Sequence, residues 1–151
     1  MKLAEALAER SDCQKRLEEI KDRLERSARI QEGEQAAEDP SQLLAEADRV
    51  YARLLELVKA INRTNSRTAF DDARTISDVL AEREVMGKRR GFLSEVAGSA
   101  SSRWDRYSKS EVRYVMTVPV GKLRSDADQF AKQYRELDLR IQELNWKTEL
   151  I

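Results

Sequence analysis

Apolar side chains recur along this chain at alternating steps of three and four, in four separate runs. The first run is Leu3, Ala6, Cys13, Leu17, Ile20 and Leu24, with Arg10 standing where the rhythm asks for an apolar residue. A 3-4 seam lays one stripe along one face of an α-helix. No Gly or Pro interrupts it from Lys2 to about Ile30. Gly33, acidic residues and Pro40 then break the pattern, and Ser41 is placed to cap a second helix carrying Ala47, Val50, Leu54, Leu57 and Ile61. The polar stretch Asn62–Arg74 reads as a link. Thr75 with Asp78 resembles a capping box for a third helix, whose seam is Ile76, Val79, Met86, Leu93 and Ala97, interrupted by Arg83 and Arg90. The fourth seam, Ala127, Phe130, Tyr134, Leu137, Ile141 and Leu144, predicts a helix over about Lys122–Trp146. Between the last two, Val112–Val118 is β-branched and aromatic with polar residues interleaved, and predicts a short strand.

The runs are two copies of one pattern. Leu7-Ala8-Glu9-Arg10 returns as Leu80-Ala81-Glu82-Arg83, and Lys15-Arg16 as Lys88-Arg89. In the second block Ala47-Asp48, Glu56-Leu57, Ile61, Asn65 and Thr68 return as Ala127-Asp128, Glu136-Leu137, Ile141, Asn145 and Thr148. A duplicated helix pair is the simplest source. The expectation is a mostly α fold over 1–151, a single domain in which hairpin one occupies 1–70 and hairpin two 74–151. Two tandem antiparallel hairpins would form an elongated coiled coil or four-helix bundle, with a short β element in the second connector.

Composition narrows the function classes. Lys plus Arg (28) equals Asp plus Glu (28), so there is no net field to draw nucleic acid or an anionic membrane. No apolar run reaches the roughly 20 residues needed to cross a bilayer, and Met1-Lys2 leads straight into the first amphipathic run rather than a signal peptide. The expectation is a soluble cytoplasmic protein. His is absent and Cys13 is the sole cysteine, on a seam where inert packing suits it. Without His, the Glu-x-x-His ligand pairs of di-iron bundles cannot form, so no metal or cofactor is expected. No Ser–His–Asp set or nucleotide loop is present, and the sequence leans away from an enzyme.

Two groups of residues stand out. Arg10 and Arg83 are repeat-related and interrupt their seams. In an antiparallel hairpin each would approach the end of its partner helix, where Ile-x-x-x-Asn-x-x-Thr recurs. Arg10, Asn65, Thr68, Arg83, Asn145 and Thr148 are therefore a candidate polar site for a carboxylate or phosphate, or a device that sets register. The second group belongs to one copy. Gly87, Gly91, Ser94 and Gly98 fall at steps of four, three and four, where the first copy has Gln14, Glu18, Lys21 and Glu25. Together with Trp104, Tyr107, Val112, Tyr114, Met116 and Val118 of the long connector they form a candidate interface. The basic-aromatic mix around Arg103-Trp104-Asp105-Arg106-Tyr107 suits anchoring the connector better than nucleic-acid binding.

Leu-Ala-Glu-Arg near the start, Ile-Gln-Glu-Gly-Glu at 30–34, Ala-Glu-Asp-Pro at 37–40, Ile-Asn-Arg-Thr-Asn at 61–65, Asp-Arg-Tyr-Ser-Lys-Ser-Glu at 105–111 and Asn-Trp-Lys-Thr-Glu-Leu-Ile at 145–151 together resemble a bacterial family of small uncharacterised proteins, sometimes labelled septicolysin. The resemblance covers essentially the whole chain and implies a mostly helical domain without an established activity. The toxin label does not carry over, since thiol-activated cytolysins are far longer, β-rich and secreted. The expected function is a non-enzymatic helical protein acting as a homo-oligomer, at least a dimer, or through a protein partner. The rival is a binder of small anions at the Arg/Asn site.

Overall fold

The computed structural model describes residues 1–102 and 113–151. The fold is mostly α, with four helices: α1 (Leu3–Ser27), α2 (Pro40–Arg67), α3 (Ile76–Ser101) and α4 (Val120–Lys147). Two compact units divide the chain, Met1–Thr75 with Gln142–Ile151, and Ile76–Ile141.

In the first unit α1 and α2 form an antiparallel hairpin. The turn between them uses Gly33 at φ 87, a left-handed conformation that side chains with a Cβ rarely adopt. Pro40 opens α2 at its first helical position, where a fixed φ fits and the missing N–H is not needed. Asp39, rather than Ser41, is the cap, and its carboxylate accepts from the Ser41 N–H at 2.9 Å. The expected seams face inward: Leu3, Ala6 and Ile20 from α1 are buried with Leu43, Leu57 and Ile61 from α2. Each Leu or Ile side chain so taken from water stabilises the fold by about 1.5–3 kcal/mol.

Helix α2 runs past the expected link at Asn62 because its buried stripe continues: Thr64, three residues after Ile61, is fully buried. The Thr64 hydroxyl accepts from the Ile151 N–H at 3.0 Å, and Arg63 Nε donates to the Ile151 carbonyl at 2.8 Å. The segment after α4 is also joined to the start of α1, through Leu3 N–H to the Thr148 carbonyl and Leu150 N–H to the Met1 carbonyl, each 2.9 Å. After α2 the chain turns within itself. Asp71 accepts from the Ala73 and Arg74 N–H groups, Arg74 donates to the same carboxylate, and its guanidinium lies 5.4 Å from the Phe70 ring.

Two Arg–Glu pairs tie α1 to α2 and a third ties α1 to the turn just before α2, and their order fixes the register. Glu9 pairs with Arg53, Arg16 with Glu46 and Arg23 with Glu38. On α1 the three positions are seven apart, the spacing that keeps a residue on one edge of a coiled-coil seam. Such partly exposed pairs contribute only about 0.2–1 kcal/mol each, so they choose an alignment more than they hold it. Hydrogen bonds from Arg53 lower the Glu9 pKa, and those from Arg23 lower that of Glu38.

A folded carboxylate with a depressed pKa contributes stability above its unfolded value, near 4.5, that is lost as pH falls through the folded value. Melting temperature is therefore expected to be flat above that value and to fall below it. Thermal melts from about pH 6 to about pH 3 check this, with a shallower dependence expected for Glu38→Gln.

In the second unit α3 and α4 are also antiparallel, as successive contacts show: Arg83 pairs with Asp138, Gly87 faces Tyr134, Arg89 lies over Phe130, and Arg124 donates to Ser101. Ile76, Val79 and Ala97 are buried from α3, and Ala127, Leu137 and Ile141 from α4. One expectation needs correcting. Residues 113–118 form no strand, and Val112 lies outside the described residues. A strand needs a neighbouring backbone to satisfy its N–H and C=O groups. Among the described residues the only pairings of strand type are the isolated bridges Lys2–Glu149 and Ala69–Thr75, neither of which involves this segment.

Candidate functional site

The two repeat-related arginines have different surroundings. Arg83 is half-buried, donates to Asp138, and its guanidinium lies 5.9 Å from the Tyr134 ring. Arg10 is also half-buried, but its Nε is shielded from solvent without a hydrogen-bond partner. The sequence explains the contrast, because Val58 is the repeat equivalent of Asp138. A buried donor left unpaired is costly.

Arg10→Met is expected to raise stability by about 1–3 kcal/mol, since it removes an unsatisfied buried donor. Arg83→Met is expected to lower it by about 1–2 kcal/mol, the loss from a broken ion pair discounted for its partial exposure. Urea melts of the two variants check the opposed signs.

The amide and hydroxyl positions lie at helix ends. Asn65 is half-buried in the last turn of α2, and no hydrogen bond joins it to Arg10. Thr68 closes α2 through its N–H to the Thr64 carbonyl at 2.9 Å. Thr148 makes the corresponding closure of α4: its N–H and its hydroxyl both donate to the Leu144 carbonyl, at 2.9 and 2.8 Å. Asn145 is half-buried one turn before that closure. Terminating a helix is therefore work that Thr68 and Thr148 visibly share.

The copy-specific positions sit in the second unit. A Cβ at Gly87 would meet the Tyr134 ring at 3.4 Å, an ordinary van der Waals distance, so Gly87 lies against Tyr134. Gly91 and Gly98 face open space, and Ser94 is exposed. Tyr114 and Met116 are exposed, as is Val115 between them, and Val118 is half-buried. Trp104, Tyr107 and Val112 lie outside the described residues.

Beside Gly87 there is a shallow, mostly apolar groove of about 490 Å³, lined by Ala81, Glu82, Val85, Met86 and Arg89 of α3 and by Phe130 of α4. The Arg89 guanidinium stacks 4.7 Å from the Phe130 ring. Val85 is 61% exposed and Phe92, one turn beyond Arg89, is 66% exposed. The sequence carried a signal for both: their first-copy equivalents are Asp12 and Glu19, two charges where the second copy has two large apolar side chains. Arg16 and Glu9, the equivalents of Arg89 and Glu82, bridge α1 to α2. In the second copy the corresponding partners changed, with Gln133 for Arg53 and Asp126 for Glu46, and Asp126 pairs with Lys122 at 2.8 Å.

Among the described residues no group of three or more His, Cys, Asp or Glu could hold a metal ion, and no helix is long and apolar enough to cross a membrane. No curated protein matches the chain significantly. A crystal structure described as that of a functionally unknown conserved protein from Corynebacterium diphtheriae is similar throughout. It is 46% identical with a TM-score of 0.94, and the match covers 100% of this chain and 99% of that one. A family profile matches residues 10–150, and by that match the chain belongs to the family of unknown function DUF6847.

Proposed function

We propose that this protein is a non-enzymatic helical module that works by associating with a second copy of itself. The observation that carries this reading is the exposure of Val85 and Phe92 on α3, at positions where the first copy of the repeat keeps Asp12 and Glu19. Scattered exposed apolar residues need no explanation, but two large ones a heptad apart beside an apolar groove favour a contact surface. The balanced charge of the chain also raises no long-range repulsion between copies. Light scattering on a dilution series tests the proposal. The expected mass at high concentration is twice the 17.4 kDa of the chain, and a single-chain mass at every concentration would remove the reading.

A second reading, binding of a small anion, is favoured by one observation, the unpartnered Nε of Arg10. Carboxylates and phosphates are the natural partners of a guanidinium. Thermal shift against a panel of anionic metabolites tests it. A stabilisation present in the wild type and absent in Arg10→Met supports anion binding. No stabilisation by any anion, with Arg10→Met simply more stable, rejects it.

A further inference from the structure

The groove beside Gly87 carries a cation that no carboxylate of the described residues neutralises, and we infer that it binds a small carboxylate with an apolar body, of the class of medium-chain aliphatic acids. Its volume of about 490 Å³ lies within the roughly 300–1,000 Å³ that small-molecule sites occupy. Ala81, Val85, Met86 and Phe130 make most of its lining apolar, and the unbranched Met86 side chain can adapt to the shape laid on it. The charged groups on the lining are Glu82 and Arg89. Glu82 has an interaction of its own within the chain. Arg89 is exposed and stacks on Phe130 at 4.7 Å, and among the described residues it has no carboxylate partner. Stacking uses the face of the guanidinium and leaves its N–H edge free. That edge is what takes a carboxylate through two parallel hydrogen bonds.

The first copy of the repeat shows what this arginine position does when carboxylates are supplied. Arg16, the equivalent of Arg89, donates to Glu46 at 2.8 Å and to Glu19 at 3.0 Å. The second copy offers neither. Phe92 stands where the first copy has Glu19, and Asp126, which stands for Glu46, pairs with Lys122. A carboxylate from outside the chain restores the partner, and the apolar lining selects one that carries a hydrocarbon body. From Arg89 back to Glu82 the face of α3 runs about 10.5 Å at 1.5 Å per residue, room for an extended chain of about eight carbons over Val85 and Met86. The inference goes beyond the self-association reading and does not rest on it. The two share Val85, so a ligand in the groove and a second copy exclude each other there.

Octanoate is the probe, with octanol as the control that lacks the charge and acetate as the control that lacks the body. Each is titrated into isotope-labelled protein at the lowest concentration of the dilution series, and the amide resonances of Val85, Met86 and Phe130 report the groove. Octanoate is expected to bind saturably, and octanol and acetate at least about tenfold more weakly. Arg89→Gln is expected to weaken octanoate about tenfold and to leave octanol unchanged. Phe92→Glu supplies Arg89 with the carboxylate that Glu19 gives Arg16, and is expected to weaken octanoate by a similar factor. Both substitutions are at exposed positions, and circular dichroism confirms that each variant is folded.

No octanoate-dependent shift at the groove overturns the inference, while self-association is judged separately by mass, so either can fail alone. Octanol binding as tightly as octanoate also overturns it, because the groove is then apolar and nothing more. Octanoate binding that survives Arg89→Gln but is lost in Arg10→Met places the carboxylate on Arg10 and overturns it as well.

Discussion

Leu57→Ala is expected to cost about 2–5 kcal/mol of stability, the range for large-to-small changes in a closed core. Leu57 is 1% exposed. The ladder places it beside Ala6, which is itself fully buried and too small to fill the space. Ile61 and Leu3 occupy the next layer of the same seam and are equally buried. Little can collapse inward, so most of the cavity remains and the cost belongs in the upper part of the range. The control is Leu55→Ala on the same helix, two residues away and 55% exposed. It is expected to change stability by no more than about 0.5 kcal/mol. Urea denaturation followed by circular dichroism separates the two, with a lower midpoint and an unchanged slope expected for Leu57→Ala. Equal effects would mean that the seam of α2 does not carry the core of its hairpin.

Much of this fold is legible in the sequence because coiled-coil seams are local patterns. The 3-4 spacing locates all four helices, and every residue it selects in α4 is buried or half-buried. What the spacing does not give is register between helices. Asp138 is unremarked in the sequence because its importance depends on lying across from Arg83. The Arg–Glu ladder is a heptad on α1, yet its partners follow only once the loop length and the cap at Asp39 set the alignment. Thr64 was recoverable, since it continues the step from Leu57 to Ile61, but a hydroxyl on a seam reads as its end unless a partner such as the Ile151 N–H is known. The connector shows the converse failure. β-branched composition favours an extended backbone, and among the described residues no strand lies beside 113–118 to complete one.

The duplication is the strongest guide to function because it supplies its own control. Positions that both copies share, such as Thr68 and Thr148, close helices. Positions that differ are where a role of one hairpin alone is to be sought. Where the first copy has Asp12, Glu19 and Arg53, the second has Val85, Phe92 and Gln133. The result is an exposed apolar centre between Glu82 and Arg89 in place of a solvated helix edge.

The central claim is that this change made the surface through which two copies meet, and reversing it is the most direct test. Val85→Asp/Phe92→Glu returns both positions to the residues of the first copy. Both are well exposed, so the variant is expected to fold and to melt within a few degrees of wild type. Burial of two such side chains on each partner is a large part of a small interface. Their loss is expected to weaken association by about a hundredfold or more. Light scattering on wild type and variant at matched concentrations reads the result. A dimer that becomes a folded monomer is what the account predicts. A variant with the same mass as wild type at every concentration would contradict it.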